Sequence, residues 1–374
     1  MAALAVGLIL GCTGTAEIAV PPDPLKICQE GTVPRNRAAE IWHPRVQDAV
    51  MHDGGWMVLE SIARGGNTRV VSLDDKMQLQ WEYVHVIEDA ESFSYDVVPQ
   101  SDGSAVVIGT LLTPVPGNTP IDKIPKNWDE RHGFWLAVNE GKVTGEKRFG
   151  GPGRDDLDVG AAHPAGGVVA AGSTTDEKDQ ALSWVAHLSK DGAIEWEVKP
   201  GQPGQSAVKG IMPFGDGLII AGKELGSAYV ALLDAKGQEQ WRKTPGEGFV
   251  VNIVPAGDGM ALVLEQFLEE QYLVVRLDGS GEVLWKTVVK VPGDGVVRKL
   301  AALPDGGVAV VGGAHKIETH HNQYKTAFVA ALGADGTIAW QQEIPGGYWQ
   351  FAADITIRND GSWVLWGTRE SADE

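Results

Sequence analysis

Apolar and polar residues alternate in short blocks along most of this chain, and the blocks recur in a fixed order. Each copy has an apolar run, an Asp-Gly or Gly-Gly pair, a second apolar run ending in Gly, an alternating run, another turn and a last run carrying Trp. Short runs bounded by turn residues predict strands, not helices. The clear copies begin at Ala165, Asp216, Asp258 and Asp305, and looser ones at Asp53, Asp102 and Asp360.

Each copy predicts a meander of four antiparallel strands. The Asp-Gly pair supplies the positive φ of a tight hairpin, and the continuous apolar run after it is typical of a strand buried on both faces. The first strand is also mostly apolar: in the run from Val250 to Val254, only Asn252 is polar. A repeat of about 45 residues with four strands predicts a β-propeller blade.

The tryptophans of the fourth strand set the number of blades. They stand at Trp42, Trp81, Trp196, Trp241, Trp285 and Trp340, with Glu146-Lys147 in the position of the missing one. The last copy ends after two strands, whereas an unmatched strand around Trp42 precedes the first copy. We therefore expect seven blades of four antiparallel strands, closed by this N-terminal outer strand pairing with the C-terminal blade. A solenoid of stacked β units is the structural alternative, but it would need capping repeats at both ends, and the sequence shows none.

The first twelve residues are apolar or small and end in Ile9-Leu10-Gly11-Cys12. This segment resembles the signal and lipobox of a bacterial lipoprotein, which implies lipidation of Cys12. Its n-region has no Lys or Arg, and a plain signal or a buried segment are the alternatives. We expect a signal over 1–12, a tether over 13–35 and a single propeller domain over 36–374. Cys28, the other cysteine, then has no intramolecular partner.

Charge limits the partners. A formal net charge of -19 opposes binding to phosphate backbones and anionic lipids, which requires clustered cations. We therefore expect no nucleic-acid partner, and contact with a membrane only through the lipid anchor. The predicted location is the bacterial cell envelope, in the periplasm or at the outer membrane or cell surface, with secretion as an alternative.

Two stretches carry a family resemblance. The junction EKRFGGPGRDDLD with the following AGGVVAAGST resembles the propeller repeats of exported bacterial proteins, and ALLDAKGQEQWRK and VRLDGSGEVLWKT are similar to PQQ-like repeats. The resemblance implies the propeller fold but no particular activity. Many PQQ-using relatives also have a vicinal cysteine pair, which this chain lacks, so no cofactor is predicted.

The candidate binding residues lie in loops. Long insertions fall on the connections from second to third strands and from each blade to the next, which share one face of a propeller and commonly carry function. We call this the loop face. On it we expect the following to contact a ligand or partner: Trp128, Arg131, His132, Tyr348 and Trp349.

Other chemistry is weakly supported. His315, His320 and His321 lack the spacing that makes a metal motif specific, and a solvated loop is the favoured interpretation. The run from Asp155 to Asp158 lacks calcium-loop spacing, which favours turn capping. The repeat tryptophans are expected to pack between blades.

No nucleophile elbow, Walker loop or zinc-protease motif occurs in the sequence. We therefore predict a non-enzymatic, monomeric, envelope-anchored binding or scaffold propeller that meets a protein or glycan. A hydrolase or lyase acting on envelope or extracellular polymers at the central channel is one alternative. A role like that of outer-membrane assembly-factor lipoproteins is the other.

Overall fold

The fold is described from a computed structural model. It describes residues 6–12, 28–32, 44–62, 67–86, 91–112, 130–151, 153–204, 206–266, 271–293, 295–315, 324–345, 349–358 and 361–370. All of the regular secondary structure in these ranges is β-strand. The two N-terminal strands are β1 (Val6–Cys12) and β2 (Cys28–Thr32).

Six sheets are built from four strands each that are consecutive along the chain, and we number them blades 1 to 6. Blade 1 contains β3 (Pro44–His52), β4 (Gly55–Ile62), β5 (Asn67–Leu73) and β6 (Leu79–His85). Blade 2 contains β7 (Glu91–Pro99), β8 (Ala105–Leu112), β9 (Arg131–Asn139) and β10 (Lys142–Phe149). Blade 3 contains β11 (Asp156–Ala162), β12 (Val168–Thr175), β13 (Ala181–Leu188) and β14 (Ile194–Val198).

The other three blades repeat this plan. Blade 4 contains β15 (Ala207–Phe214), β16 (Gly217–Glu224), β17 (Ser227–Leu233) and β18 (Glu239–Glu247). Blade 5 contains β19 (Phe249–Ala256), β20 (Gly259–Gln266), β21 (Gln271–Leu277) and β22 (Val283–Val289). Blade 6 contains β23 (Val296–Ala302), β24 (Val308–His315), β25 (Tyr324–Leu332) and β26 (Ile338–Pro345).

The all-β propeller is confirmed, but the predicted count is wrong: there are six such blades, not seven. After blade 6 the chain supplies only β27 (Trp349–Ile357) and β28 (Trp363–Glu370). These two strands share a mixed sheet with the N-terminal strands, in the order β2-β1-β28-β27.

An N-terminal strand does pair with the C-terminal strands, but its predicted position around Trp42 is wrong: β28 takes β1 as its antiparallel partner. An unpaired edge of β28 would leave its backbone N–H and C=O groups without partners, and the apolar run of β1 fills that place. Trp42 itself lies outside the described residues. The next segment of chain, β3, is the first strand of blade 1.

The core follows from the apolar runs. In β8 every residue from Ala105 to Leu111 is buried, as expected for a strand covered on both faces. The fourth strand, by contrast, is largely exposed, as in β10. Apolar clusters join neighbouring blades: one contains Val107 and Phe134 of blade 2 with Leu59 of blade 1.

Two of the repeat tryptophans, Trp196 and Trp285, show the predicted packing between blades. The Trp285 ring of blade 5 lies on the last turn of blade 6, where its Nε1–H donates to the Ala334 carbonyl at 2.8 Å and a Cβ added to Gly336 would come within 2.6 Å of the ring. The Trp196 ring of blade 3 lies on the corresponding turn of blade 4, where a Cβ added to Gly237 would come within 2.7 Å of the ring. In these two pairs, the turn glycine makes room for the tryptophan of the preceding blade.

Contacts divide the chain into two compact units, one formed by 1–49 with 243–374 and the other by 50–242. Within the described ranges, no helix has the length and apolarity needed to cross a membrane.

Candidate functional site

The first strand of each blade from 2 to 6 contains a β-bulge. Against the second strand, the pairing register skips one residue at each of these positions: Tyr95, Asp158, Lys209, Val251 and Arg298. β27 has the same bulge at Ala353. A bulge leaves one residue out of the ladder and re-aims its side chain, so each of these six strands holds one residue outside the regular pairing.

The residue after the bulge links neighbouring first strands when it is Asp or Asn. Asp96 of β7 accepts a hydrogen bond from the Gly160 amide of β11 at 2.8 Å. Asn252 of β19 accepts one from the Leu300 amide of β23 at 3.0 Å. These side chains satisfy amides on the adjacent first strand, and a buried amide without a partner is costly.

Bulge residues of blades 2 to 4 gather with two further side chains into a polar group. We call Tyr95, Arg131, Asp156, Asp158 and Lys209 the first-strand cluster. The Lys209 ammonium donates to the Asp158 carboxylate at 2.7 Å, and the Arg131 guanidinium lies 3.4 Å from the Asp156 carboxylate. In both pairs the carboxylate is the more buried member: 15% and 12% of the Asp156 and Asp158 side chains are exposed, against 42% and 43% of Arg131 and Lys209.

Burial controls the electrostatics of the cluster. It raises the pKa of Tyr95 to about 12, with the charges of Asp158 and Asp156 adding to the rise and Arg131 opposing it. Burial also raises the pKa of Asp158, although the neighbouring Lys209 acts in the opposite direction. Tyr95 therefore stays a neutral hydroxyl at physiological pH, able to donate and to accept a hydrogen bond.

A glycine-rich loop between blades 2 and 3 fixes the backbone of Arg131. The Arg131 amide donates to the Gly153 carbonyl at 2.9 Å, and the Arg131 carbonyl accepts from the Asp155 amide at 3.0 Å. Gly153 has a φ of +132°, a conformation that only glycine adopts readily. The Asp155 carboxylate accepts from the Gly151 amide at 2.9 Å and from the Thr174 hydroxyl, which confirms turn capping at Asp155 alone. Asp156 and Asp158 lie in β11 and pair with Arg131 and Lys209.

The structure does not bring the predicted binding residues together at one site. Arg131 is a member of the first-strand cluster. His132 is half-buried and faces Glu130 at 3.9 Å, so it is no part of the cluster. Trp128 and Tyr348 lie outside the described residues, and Trp349 opens β27 without a described side chain.

The weak metal candidates gain no support. His315 ends β24 without a described side chain, and His320 and His321 lie outside the described ranges. In the part of the chain that is described, no group of three or more His, Cys, Asp or Glu is arranged to hold a metal ion.

The sequence patterns did not predict Tyr95, Asp156, Asp158 and Lys209 as members of a site. The signal that could have found Asp158 and Lys209 is a polar residue that interrupts an apolar first strand, as Asn252 does. The exposed face of the cluster presents two cations and a phenol. Phe93, two residues before Tyr95 on β7, is also exposed, by 41%, and adds an apolar ring next to the cluster along this strand.

The fold and this cluster define an all-β propeller with a polar site on its first strands. Residues 181–358 match a family model described as outer membrane protein assembly factor BamB. No curated protein matches the chain.

Solved structures provide distant likenesses. A Lactobacillus plantarum protein is 18% identical, over 81% of this chain and 85% of its own, with a TM-score of 0.49. The C-terminal WD40 domain of Sif2 is 11% identical over 88% and 97%, with a TM-score of 0.47. The Dos1 propeller is 10% identical over 89% and 81%, with a TM-score of 0.42. None of the three bears on the function of this chain.

Proposed function

We propose that this chain is a non-enzymatic binding or scaffold propeller of the bacterial envelope, in a role like that of an outer-membrane assembly factor. The observation that carries the proposal is the match of residues 181–358 to the BamB family model. The matched segment runs from β13 to the end of β27 and includes Lys209 of the first-strand cluster.

The first-strand cluster supplies the binding surface of the proposal. Arg131 and Lys209 expose more of their side chains than the carboxylates beneath them, so a partner meets donors first. Tyr95 and Phe93 are 37% and 41% exposed. Tyrosine and arginine are the residue types that dominate the energetics of protein interfaces.

The proposed partner is a protein of the envelope. Cations over buried carboxylates, beside two aromatic rings, suit a segment with an acidic residue next to an apolar one. A glycan could stack on the same rings, but it would gain less from the two cations.

The envelope location has the support of the family match. A lipid on Cys12 remains part of the proposal. Cys12 is the last residue of β1, so cleavage of a signal before it would remove most of that strand from the mixed sheet.

The test is complementation in a bacterial strain from which the gene is deleted. We expect the deletion to lower the amounts of outer-membrane β-barrel proteins, measured by quantitative proteomics of the membrane fraction. The wild-type gene should restore them. The double variant Arg131→Gln/Lys209→Gln should restore them only in part, because it removes both exposed cations and keeps side chains that hydrogen-bond.

The matched control is Lys190→Gln/Lys236→Gln, which removes two cations from the turns between third and fourth strands in the same unit. It should complement fully. Unchanged barrel-protein levels in the deletion strain would refute the assembly role. Equal complementation by both double variants would refute the role of the cluster.

A further inference from the structure

A second polar group lies in the other unit, where β3 meets β27. The Ala49 amide of β3 donates to the Asp354 carboxylate of β27 at 2.9 Å. The Thr356 hydroxyl, also on β27, donates to the Ala49 carbonyl at 3.4 Å. This is the first-strand link described above for Asp96 and Asn252, here between strands from opposite ends of the chain.

At this link the acceptor faces a second acid. The charge of Asp48 adds to the rise in the pKa of Asp354, since two like charges held close together disfavour ionisation of both. The Lys299 ammonium of β23 lies 2.9 Å from Asp48 and 3.9 Å from Asp354. The side chains of both acids are buried, with 3% and 7% exposed.

Lys299 lies within hydrogen-bond distance of Asp48 but 3.9 Å from Asp354. An ionised carboxylate is costly away from water unless it is closely paired. A proton on the acid pair removes this cost at Asp354 and the repulsion between the two carboxylates.

Apolar side chains lie against part of β27: β24, β25 and β28 place Val311, Val329 and Leu365 in the apolar cluster that includes Ile355. The largest charge effects on Asp354 come from Lys299 and Asp48. The remaining titratable residues on strands packed against β27 are Arg45 and His52 of β3, Arg298 next to Lys299, and five residues near strand ends: His315, Tyr324, Lys325, Arg369 and Glu370.

We propose that a single proton held by the Asp48–Asp354 pair stabilises the contact between β3 and β27, so that this contact tightens as the pH falls below neutral and loosens as it rises. The junction of β3 with β27 would then respond to the pH of its compartment. This inference is independent of the proposed assembly role.

The direction agrees with the electrostatics of the site. Burial raises the pKa of Asp354 to about 7, with Asp48 adding to the rise and Lys299 opposing it. In an opened state the carboxyl returns toward its ordinary range near 4. Between these values the closed state holds more protons than the open one, so raising the pH favours opening.

The experiment is hydrogen exchange of the full-length protein, followed by mass spectrometry of the peptide that covers β3. After correction for intrinsic exchange rates, the opening constant of this peptide should rise by up to about tenfold per pH unit between roughly pH 5 and 6.5, since one proton is released on opening. Asp354→Asn should abolish this dependence, because its amide oxygen still accepts from Ala49, as Asn252 accepts from Leu300.

Two further variants make the result decisive. Asp48→Asn should weaken the pH dependence, because it removes the second acid while leaving the Ala49 link in place. Asp96→Asn makes the same change at the link between β7 and β11 and should leave the dependence of the β3 peptide as in the wild type. A wild-type peptide whose opening is independent of pH, or an Asp354→Asn protein with an unchanged slope, would overturn the proposal.

Discussion

The Ala49 amide and the Asp354 carboxylate meet at 2.9 Å across 305 positions of the chain. Such a contact forms only when both ends of the sequence are in place, so its strength bears on the stability of the whole unit. Because Asp354 is buried beside Asp48, the contact also depends on pH.

The contribution of Asp354 to global stability should therefore decline as the pH rises. Burial raises the pKa of Asp354 to about 7 in the folded protein, whereas the unfolded chain has the ordinary value near 4. A raised carboxyl pKa means that the folded state binds the extra proton, so this stability is present at low pH and lost between about pH 4 and pH 7. Its upper limit is about 4 kcal/mol.

Urea unfolding at several pH values checks this prediction. Relative to the wild type, Asp354→Asn should gain stability as the pH rises from 5 to about 7.5. A constant difference between the two proteins over this range would show that Asp354 does not titrate there.

The Asp and Asn side chains that accept hydrogen bonds between first strands should each contribute to the free energy of unfolding. Asp96→Ala leaves the Gly160 amide without its 2.8 Å partner, and an unsatisfied buried donor costs about 1–3 kcal/mol. Asp96→Asn retains an acceptor and should lose much less. Denaturant midpoints with unchanged slopes measure both, and equal losses would mean that charge, not the hydrogen bond, matters at this position.

The contact between tryptophan and turn glycine offers a matched pair of variants. Gly237 and Gly226 both have positive φ, at 78° and 88°, but only at Gly237 would a Cβ meet a ring, 2.7 Å from Trp196. Both alanine variants should lose about 1 kcal/mol for the backbone. Gly237→Ala should lose a further 1–3 kcal/mol or so for overpacking, and similar melting temperatures for the two would contradict the proposed packing.

A buried ion triplet in blade 1 should be far more sensitive than a surface pair. Arg69, fully buried, donates to Glu60 at 2.5 Å and to Glu82 at 2.6 Å. Arg69→Met leaves two carboxylates without their cation and should cost about 3–5 kcal/mol. Lys243→Met breaks a pair with the exposed Glu282 and should cost less than about 1 kcal/mol, and comparable unfolding energies would contradict the account.

The lipid anchor is tested by metabolic labelling with a fatty-acid analogue. If Cys12 is lipidated, the label should appear on the wild type and be absent from Cys12→Ala, whereas Cys28→Ala should be labelled normally. Absence of label from both the wild type and Cys28→Ala, together with mass spectrometry showing that the mature chain retains β1, would indicate that residues 6–12 serve as a strand and not as a cleaved signal.

Much of the fold was predictable because each repeat is defined by short patterns of neighbouring residues. Turn glycines and tryptophans recur at fixed spacing, and the structure gives a reason: Gly237 and Gly336 make room for the Trp196 and Trp285 rings of the preceding blades. The Asp155 turn was predicted correctly for the same local reason.

The number and closure of blades were not predictable in this way. Counting tryptophans treats Trp42 as the outer strand of a blade, but strand pairing across the chain ends is decided by competition between distant segments. The apolar β1 pairs with β28, and a pattern typical of a signal does not reveal that it also fits a sheet edge.

The first-strand cluster was not predicted from the sequence because it joins side chains from three blades. Asp158 and Lys209 lie 51 positions apart, and neither belongs to a motif. A rule that looks for polar residues within apolar first strands would have found Asp96, Asp158 and Asp354 together with Asn252.

The central claim, that the first-strand cluster meets an envelope protein, is tested most directly by photo-crosslinking in living cells. A photoreactive phenylalanine analogue is placed at Tyr95 and, as the control, at Lys236. The account predicts a discrete adduct with an outer-membrane assembly protein from position 95, lost in the Arg131→Gln/Lys209→Gln background and absent from position 236. No adduct at position 95, or the same adducts from both positions, would contradict it.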